Sequence, residues 1–136
     1  MVDEARRRHP HIPAEVGDLT DLRPPTADHG WAAVVAWYSL VHMAASELAP
    51  AVAGLASALA PGGALTVAVH LGPGVRHVDD LFGVAVDLDF TLHDPASVLD
   101  AFASAGLVDV EWYRRGPYGD VEVETERLYV LGHRPS

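Results

Sequence analysis

Apolar residues form two long uninterrupted runs along this chain. Residues 31–37 (WAAVVAW) and residues 64–70 (ALTVAVH) contain few polar positions, and turn-forming residues bound each run. Runs of this length and composition are typical of parallel strands that are covered on both faces. We therefore predict two buried strands, at Trp31–Trp37 and at residues 64–70.

Three other segments have the patterns of helices. Residues 2–9 place acidic residues four positions before arginines, the spacing of favourable helical ion pairs (Asp3–Arg7 and Glu4–Arg8). Residues 46–59 repeat apolar side chains at helical spacing, with a proline in the first part (Leu48, Val52, Leu55, Leu59 and Pro50). The third helix is predicted to start with a cap and a proline and to end at a glycine (Asp94, Pro95 and Gly106).

The remaining segments are predicted to form shorter strands and loops. Residues 14–17 are a short strand candidate, and an irregular stretch that includes Asp28 follows them up to Gly30. Residues 71–80 are expected to be flexible, and residues 86–92 to form a short strand or an extended loop. Two further strands flank a glycine- and proline-containing turn and predict a β-hairpin (residues 107–114 and 121–132).

The order of these elements indicates the fold class. Strands covered on both faces alternate with helices, which is typical of an α/β fold, and right-handed crossovers make the central strands parallel. We expect a single domain over residues 1–136. Its sheet is predicted to be mostly parallel, with the C-terminal hairpin adding one antiparallel strand.

The amino-acid composition excludes several classes of function. Hydrophobic residues make up 49% of the chain and charged residues 21%, which is typical of a globular protein. Nineteen acidic residues against nine arginines give a net charge of −10, and such a surface repels the phosphates of nucleic acids. Cysteine is absent, which excludes disulfides and thiolate chemistry. Neither a secretory signal nor a membrane span is evident, so we expect a cytoplasmic protein.

Several motifs occur here in a combination that is found in one enzyme family. Gly17, Asp18 and Leu19 follow the first strand candidate, residues 34–43 are VVAWYSLVHM, and residues 59–70 are LAPGGALTVAVH. Together with the terminal hairpin, these motifs resemble class I S-adenosylmethionine (SAM)-dependent methyltransferases of the small-molecule type. The resemblance implies a Rossmann-like fold, SAM as the cofactor, and methyl transfer to an oxygen, nitrogen or carbon nucleophile.

The resemblance also implies which residues contact the cofactor. In such enzymes the acidic residue of the Gly-Asp-Leu step binds the adenine amino group, so this role falls to Asp18, with Leu19 as an apolar wall. The end of the following strand lies beside the methionine part of the cofactor, and here it comprises Ala36, Trp37 and Tyr38. From the residues alone, two alternatives remain: Asp18 organises a turn, and the aromatic residues fill the core.

Two histidines are candidates for acid–base chemistry. His42 follows the first buried strand and His70 ends the second, at the rim where open α/β sheets bind ligands. A neutral imidazole there can accept a proton from a substrate hydroxyl during methyl transfer. The alternative is that both are only polar groups at strand ends. His9 and His11 have no obvious third ligand, so no metal site is predicted.

The resemblance further implies that part of the fold lies outside this sequence. The family's first two strands, its glycine-rich cofactor loop and its ribose-binding acid should precede residue 1, which makes the chain the C-terminal portion of a truncated methyltransferase fold. In the family's strand order, 3-2-1-4-5-7-6, loss of strands 1 and 2 exposes one edge of Trp31–Trp37. We expect this edge to pair with a second copy in a homodimer, with a complementing N-terminal half, or with residues 14–17.

The missing N-terminal segment also affects the expected cofactor binding and activity. We expect the 136-residue chain to bind SAM weakly, or to depend on the missing segment for binding. The alternatives to an active methyltransferase are a non-methylating binding or dimerisation module derived from one, and a repurposed cyclase or lyase.

Overall fold

The computed structural model describes residues 1–25 and 29–136, apart from the side chain of Asp120, so the predicted turn residue Asp28 lies outside it. Helices and strands alternate in the middle of the chain, and strands dominate its end. In chain order the elements are α1 (Val2–Arg8), β1 (Trp31–Trp37), α2 (Leu48–Ser57), β2 (Leu59–Leu71), β3 (Val75–Leu81), β4 (Val84–Thr91), α3 (Pro95–Ser104), β5 (Val108–Arg115) and β6 (Glu126–His133).

Four of the strands form one mixed sheet. Their spatial order is β1-β2-β6-β5, with β1 parallel to β2 and β6 antiparallel to both of its neighbours. The predicted α/β class and the β5–β6 hairpin are confirmed. β1, β2 and β5 run in one direction, and β6 is the one antiparallel strand of these four, as predicted. Because β6 lies between β2 and β5, however, two of the three strand pairings are antiparallel and the sheet is mixed.

One face of the sheet is covered by α2 and α3. Alternate β2 residues point towards the helices and are fully buried (Leu65, Val67 and Val69). The helices meet them with apolar side chains at the predicted helical spacing (Leu48, Val52, Leu55, Val98 and Phe102). This layer is the hydrophobic core. Leu59, predicted to continue the α2 pattern, instead begins β2.

The other face, which we call the open face, consists of Val35, Trp37, Thr66, Tyr113 and Tyr129. Strand pairing places these residues on one side of the sheet, opposite the helices. Val35 is 64% exposed and Trp37 is 53% exposed. The prediction that Trp31–Trp37 is covered on both faces is therefore wrong, because no helix of the described residues packs on this side. β1 is also an edge strand, as expected.

Residues 14–17 do not form the predicted strand. The segment is irregular and has no strand partner within residues 1–25 and 29–136, so it does not cover the edge of β1. The chain continues into a short 3₁₀ turn, Leu19–Asp21, beside α2. Leu19 and Leu22 pack against the hydrophobic core from this turn.

The predicted flexible segment, residues 71–80, is largely a strand. β3 pairs with β4 in an antiparallel hairpin that is separate from the main sheet. Phe82 and Gly83 form its turn with φ of 55° and 79°, the backbone shape that tight hairpin turns need. The Asp80 carboxylate accepts the Gly83 N–H at 3.0 Å and holds the turn.

α1 is confirmed, with one of its two predicted ion pairs. Arg8 Nε lies 2.6 Å from Glu4 Oε1, as predicted, whereas Asp3 pairs with Arg6 rather than Arg7. These pairs are exposed and contribute little to stability. No helix of the described residues is long and apolar enough to span a membrane.

α3 starts as predicted, and its cap gives a direct test of the fold. Asp94 Oδ2 accepts the Ser97 N–H at 3.0 Å and the Ser97 hydroxyl at 3.2 Å. We expect Asp94→Ala to lower the free energy of unfolding by about 1 kcal/mol, because an N-terminal N–H loses its partner. Urea denaturation measures the change. Asp100→Ala, an exposed site in the same helix, is the matched control, and an equal loss there would contradict the capping role.

Candidate functional site

A cleft of about 1030 Å³ opens between residues 15–23 and the connection from β1 to α2. It contains three of the predicted site residues, Asp18, Leu19 and His42. The remaining side chains that define it are Glu15, Asp21, Arg23, Trp31, Ser39, Met43 and Glu47, among others. Four carboxylates against one arginine make the cleft acidic. Such a lining favours a ligand with net positive charge.

Asp18 caps the 3₁₀ turn that forms one wall of this cleft. Its Oδ1 accepts the Thr20 N–H at 2.8 Å and the Thr20 hydroxyl at 2.7 Å. The hydrogen bonds from Thr20 lower the pKa of Asp18, so the carboxylate is ionised at neutral pH. Both bonds use Oδ1, and within the described part of the chain Oδ2 has no hydrogen-bond partner. Asp18 therefore organises the turn and still presents a free oxygen.

His42 lies exposed in the cleft with a defined tautomer. Its Nδ1 is 2.9 Å from the backbone carbonyl of Asp89 in β4. A carbonyl only accepts, so Nδ1 holds the proton and Nε2 presents a lone pair. The ring also packs against Phe90, with 5.0 Å between ring centres. The β3–β4 hairpin thus orients His42 as a proton acceptor.

A second group of polar side chains lies where β1, β2 and β5 end and β6 begins. We call it the rim cluster, and it consists of Tyr38, His70, Arg115, Glu122 and Tyr129. The Tyr38 and Tyr129 hydroxyl oxygens are 2.6 Å apart, and the Tyr38 ring lies 4.8 Å from the His70 ring. Tyr38 has a φ of 52°, which is rare for a residue with a side chain. Backbone strain of this kind is concentrated at ligand-binding sites.

Arg115 connects the tyrosines to a carboxylate. Its Nη2 donates to the Tyr129 hydroxyl at 2.9 Å and to Glu122 Oε1 at 2.8 Å, while Nη1 donates to Glu122 Oε2 at 2.7 Å. The Arg115 guanidinium, helped by the Tyr118 N–H, lowers the pKa of Glu122 to about 2. The pair is therefore charged at any physiological pH.

Burial shifts the pKa values of the two ring residues beside this ion pair. Desolvation, followed by the positive charge of Arg127, lowers the pKa of His70 below its ordinary value. Its Nδ1 lies 2.7 Å from the Thr125 hydroxyl. Desolvation and the Tyr129 hydroxyl raise the pKa of Tyr38 to about 12. At neutral pH the cluster thus holds a neutral imidazole beside the protonated phenol of Tyr38.

The structure places five of the seven predicted site residues in two groups. Asp18, Leu19 and His42 share the cleft, whereas Tyr38 and His70 belong to the rim cluster. Trp37 lies on the open face, where its Nε1 donates to the Thr66 hydroxyl at 3.1 Å.

Ala36 is placed differently from its neighbours. Its side chain is 1% exposed and packs in the core, so a ligand reaches only its backbone.

Sequence reasoning missed Arg115, Glu122 and Tyr129. The sequence pattern predicts a turn at Arg115 and one strand over residues 121–132. β6 instead begins at Glu126, which frees Glu122 to fold back onto Arg115. The sequence does contain one signal for this ion pair, because an arginine and a glutamate lie at opposite ends of a short glycine-containing turn.

Metal ligands are not grouped in the described residues. No set of three histidine, aspartate or glutamate side chains there is arranged to hold an ion. The His9 and His11 ring centres are 6.3 Å apart.

Solved structures have the same fold. A SAM-dependent methyltransferase from Methanosarcina mazei has a TM-score of 0.72 at 8% identity, over 89% of this chain and 66% of that one. DesVI of Streptomyces venezuelae has a TM-score of 0.63 at 24% identity, over 100% of this chain and 70% of that one. The 1,6-didemethyltoxoflavin N1-methyltransferase of Burkholderia thailandensis, solved with bound 1,6-didemethyltoxoflavin and S-adenosylhomocysteine, has a TM-score of 0.67 at 12% identity, over 98% of this chain and 56% of that one.

The present chain thus spans 56% to 70% of the length of these three structures. No family model and no curated protein matches the sequence. The spatial order β1-β2-β6-β5 is the order 4-5-7-6 that ends the methyltransferase sheet. The described residues therefore have the fold of class I SAM-dependent methyltransferases.

Proposed function

We propose that this chain takes part in SAM-dependent methyl transfer to a small molecule. The observation that supports this most directly is the position of the cleft and the rim cluster in a methyltransferase fold. The rim cluster lies at the carboxyl end of the parallel β1–β2 pair, where open α/β sheets bind their ligands. His42 and Ser39 bring the cleft to the same end of β1.

The chemistry of the cleft fits SAM. SAM has a sulfonium, an ammonium and one carboxylate, so its net charge is positive and suits an acidic lining. The free Oδ2 of Asp18 is an acceptor for the adenine amino group, and Leu19 offers an apolar wall. Trp37, Tyr38 and the backbone of Ala36 then lie towards the methionine part.

The residues of this chain orient the cofactor and the methyl acceptor, and they take up the one proton that the methyl acceptor loses. Bound SAM supplies an electrophilic methyl group, and the acceptor is an oxygen, nitrogen or carbon nucleophile. His42 Nε2 and the neutral His70 are the two groups that can hold the proton of an acceptor. Methyl transfer depends mainly on in-line positioning, which fixed side chains provide.

We further propose that a partner completes the site. The free edge of β1 presents backbone groups that a strand from a second copy, or from a complementing N-terminal half, can pair with. A complementing N-terminal half also supplies a glycine-rich loop for the cofactor, whereas a second copy only pairs with the edge of β1.

SAM titration into the 136-residue chain tests the proposed function. We expect a Kd of about 1 mM, because a single Asp18 contact and an open cleft leave most of the cofactor's surface without protein contacts. Amide chemical shifts in an NMR titration should move in residues 15–23 and 38–43. Asp18→Asn should remove these shifts, whereas Asp21→Asn, in the same cleft, should retain them. Absence of any shift at millimolar SAM refutes the proposed cleft, and low-micromolar binding refutes the need for a partner.

A further inference from the structure

The Tyr38–Tyr129 pair has a hydroxyl proton that no described group accepts. Two hydroxyls have two protons, and the 2.6 Å bond between their oxygens uses one of them. Arg115 Nη2 donates to the Tyr129 oxygen and so fills an acceptor position rather than taking a proton. Among the side chains that the structure describes, the second proton has no acceptor. The rim cluster therefore presents a hydrogen-bond donor to a ligand.

The charges around this donor favour a ligand oxygen that can become negative. Arg115 and Arg127 both lie beside Glu122, with Arg127 Nη2 at 3.5 Å, and Arg127 is 3% exposed. Among the described side chains, two positive groups thus share one carboxylate, and Arg127 is shielded from water. A protonated amine is repelled here, whereas a phenolate or enolate is stabilised.

A proton acceptor lies next to the same donor. The His70 ring lies against the Tyr38 ring, and its Nδ1 is held by the Thr125 hydroxyl. When Nδ1 donates to Thr125, Nε2 is the basic atom. A ligand hydroxyl that accepts the tyrosine proton therefore lies close to a neutral imidazole. The exposed indole of Trp37, 5.8 Å from the Tyr129 ring, adds an apolar surface for a planar ring.

We propose that the rim cluster binds a phenolic acceptor, so that methyl transfer by this fold is to oxygen. The inference rests on the proposed function and narrows its acceptor from oxygen, nitrogen or carbon to a weakly acidic hydroxyl. The phenol O–H bond breaks and its proton moves to His70 Nε2. The phenol oxygen forms a bond to the methyl carbon of the sulfonium, and the electrons of the broken C–S bond remain on sulfur, which becomes a neutral thioether.

4-Nitrophenol is a suitable probe, because its phenolate absorbs visible light and its phenol form does not. We titrate the full chain with it in the absence of SAM, across a range of pH. The bound probe should be about tenfold more acidic than the free probe, since the donor and the local positive charge stabilise its phenolate. 4-Nitroaniline, which has an amine in place of the hydroxyl, should bind at least about tenfold more weakly.

Variants separate this role from a structural one. The double variant Tyr38→Phe/Tyr129→Phe should abolish the acidity shift, whereas Tyr113→Phe should retain it. Tyr113 stacks on Tyr129 at 5.1 Å but is not part of the hydroxyl pair. Circular dichroism checks that each variant folds, and if the double variant does not, the comparison of the two probes on the unaltered chain decides. Equal binding of the probes, an unshifted titration, no binding, or a shift that survives in the folded double variant overturns the proposal. The SAM titration uses no phenol, and its two variant sites, Asp18 and Asp21, lie outside the rim cluster, so either proposal can fail alone.

Discussion

Replacing Phe102 with alanine should lower the free energy of unfolding by about 4 kcal/mol. Phe102 is 0% exposed and lies in α3, where its ring packs against β6. A side chain at Gly132 would come within 3.0 Å of the Phe102 ring, so the helix and the strand are in close contact there. Removing the ring leaves a cavity that β6 cannot move to fill, because β6 is hydrogen-bonded to a strand on each side.

Phe82→Ala provides the matched control. Phe82 is 92% exposed at the β3–β4 turn, so the same change there should alter stability by less than about 0.5 kcal/mol. Urea denaturation of both variants measures the difference. A similar loss for the two variants, or a loss below about 1 kcal/mol for Phe102→Ala, would show that α3 is not packed on the sheet as described.

Elements with local signals were predictable from the sequence. β1 has the predicted bounds, because an apolar run between turn residues specifies a strand without reference to the rest of the chain. α3 also begins at its predicted cap, since Asp94 and Pro95 act on the backbone immediately after them. In both cases the interactions that define the element lie within a few residues.

Properties that depend on distant elements were not predictable in this way. The apolar pattern of β1 is the same whether one face or two are covered, so the exposure of Val35 and Trp37 had no local signal. The position of β6 between β2 and β5 depends on where the chain returns to the sheet. Residues 14–17 had a strand-like composition but found no partner strand within residues 1–25 and 29–136.

The residues of the candidate site also divide into those that local sequence signals predict and those whose placement depends on distant parts of the chain. Tyr38 and His70 can be assigned to one rim from the ends of the two buried strands, because parallel strands end on the same side of a sheet. The partner of Tyr38, however, is Tyr129, which lies 91 positions away. The carbonyl that sets the His42 tautomer belongs to Asp89 in a hairpin that the sequence did not predict. Side-chain geometry over such separations depends on the whole fold.

The edge of β1 that is unpaired in the described residues leads to a second prediction with a large expected effect. The Tyr38 N–H donates to Ala68 in β2, so by alternation the N–H groups of Val35 and Trp37 point away from the sheet. Residues 31–37 contain no charge that would oppose pairing with another strand. We expect the chain to self-associate through this edge at micromolar concentrations, and light scattering measures the mass of the species.

Val35→Lys should convert the associated species to a monomer. The lysine places a charge on an edge strand whose neighbour would otherwise be an identical apolar strand, and such charges block edge-to-edge pairing. Trp112→Lys is the matched control, since Trp112 is a 57% exposed residue on β5, the strand at the opposite edge. It should leave the association unchanged. If the unaltered chain is monomeric and the Val35 and Trp37 amides exchange rapidly with solvent, a second copy is not the partner, and a complementing segment is the remaining candidate.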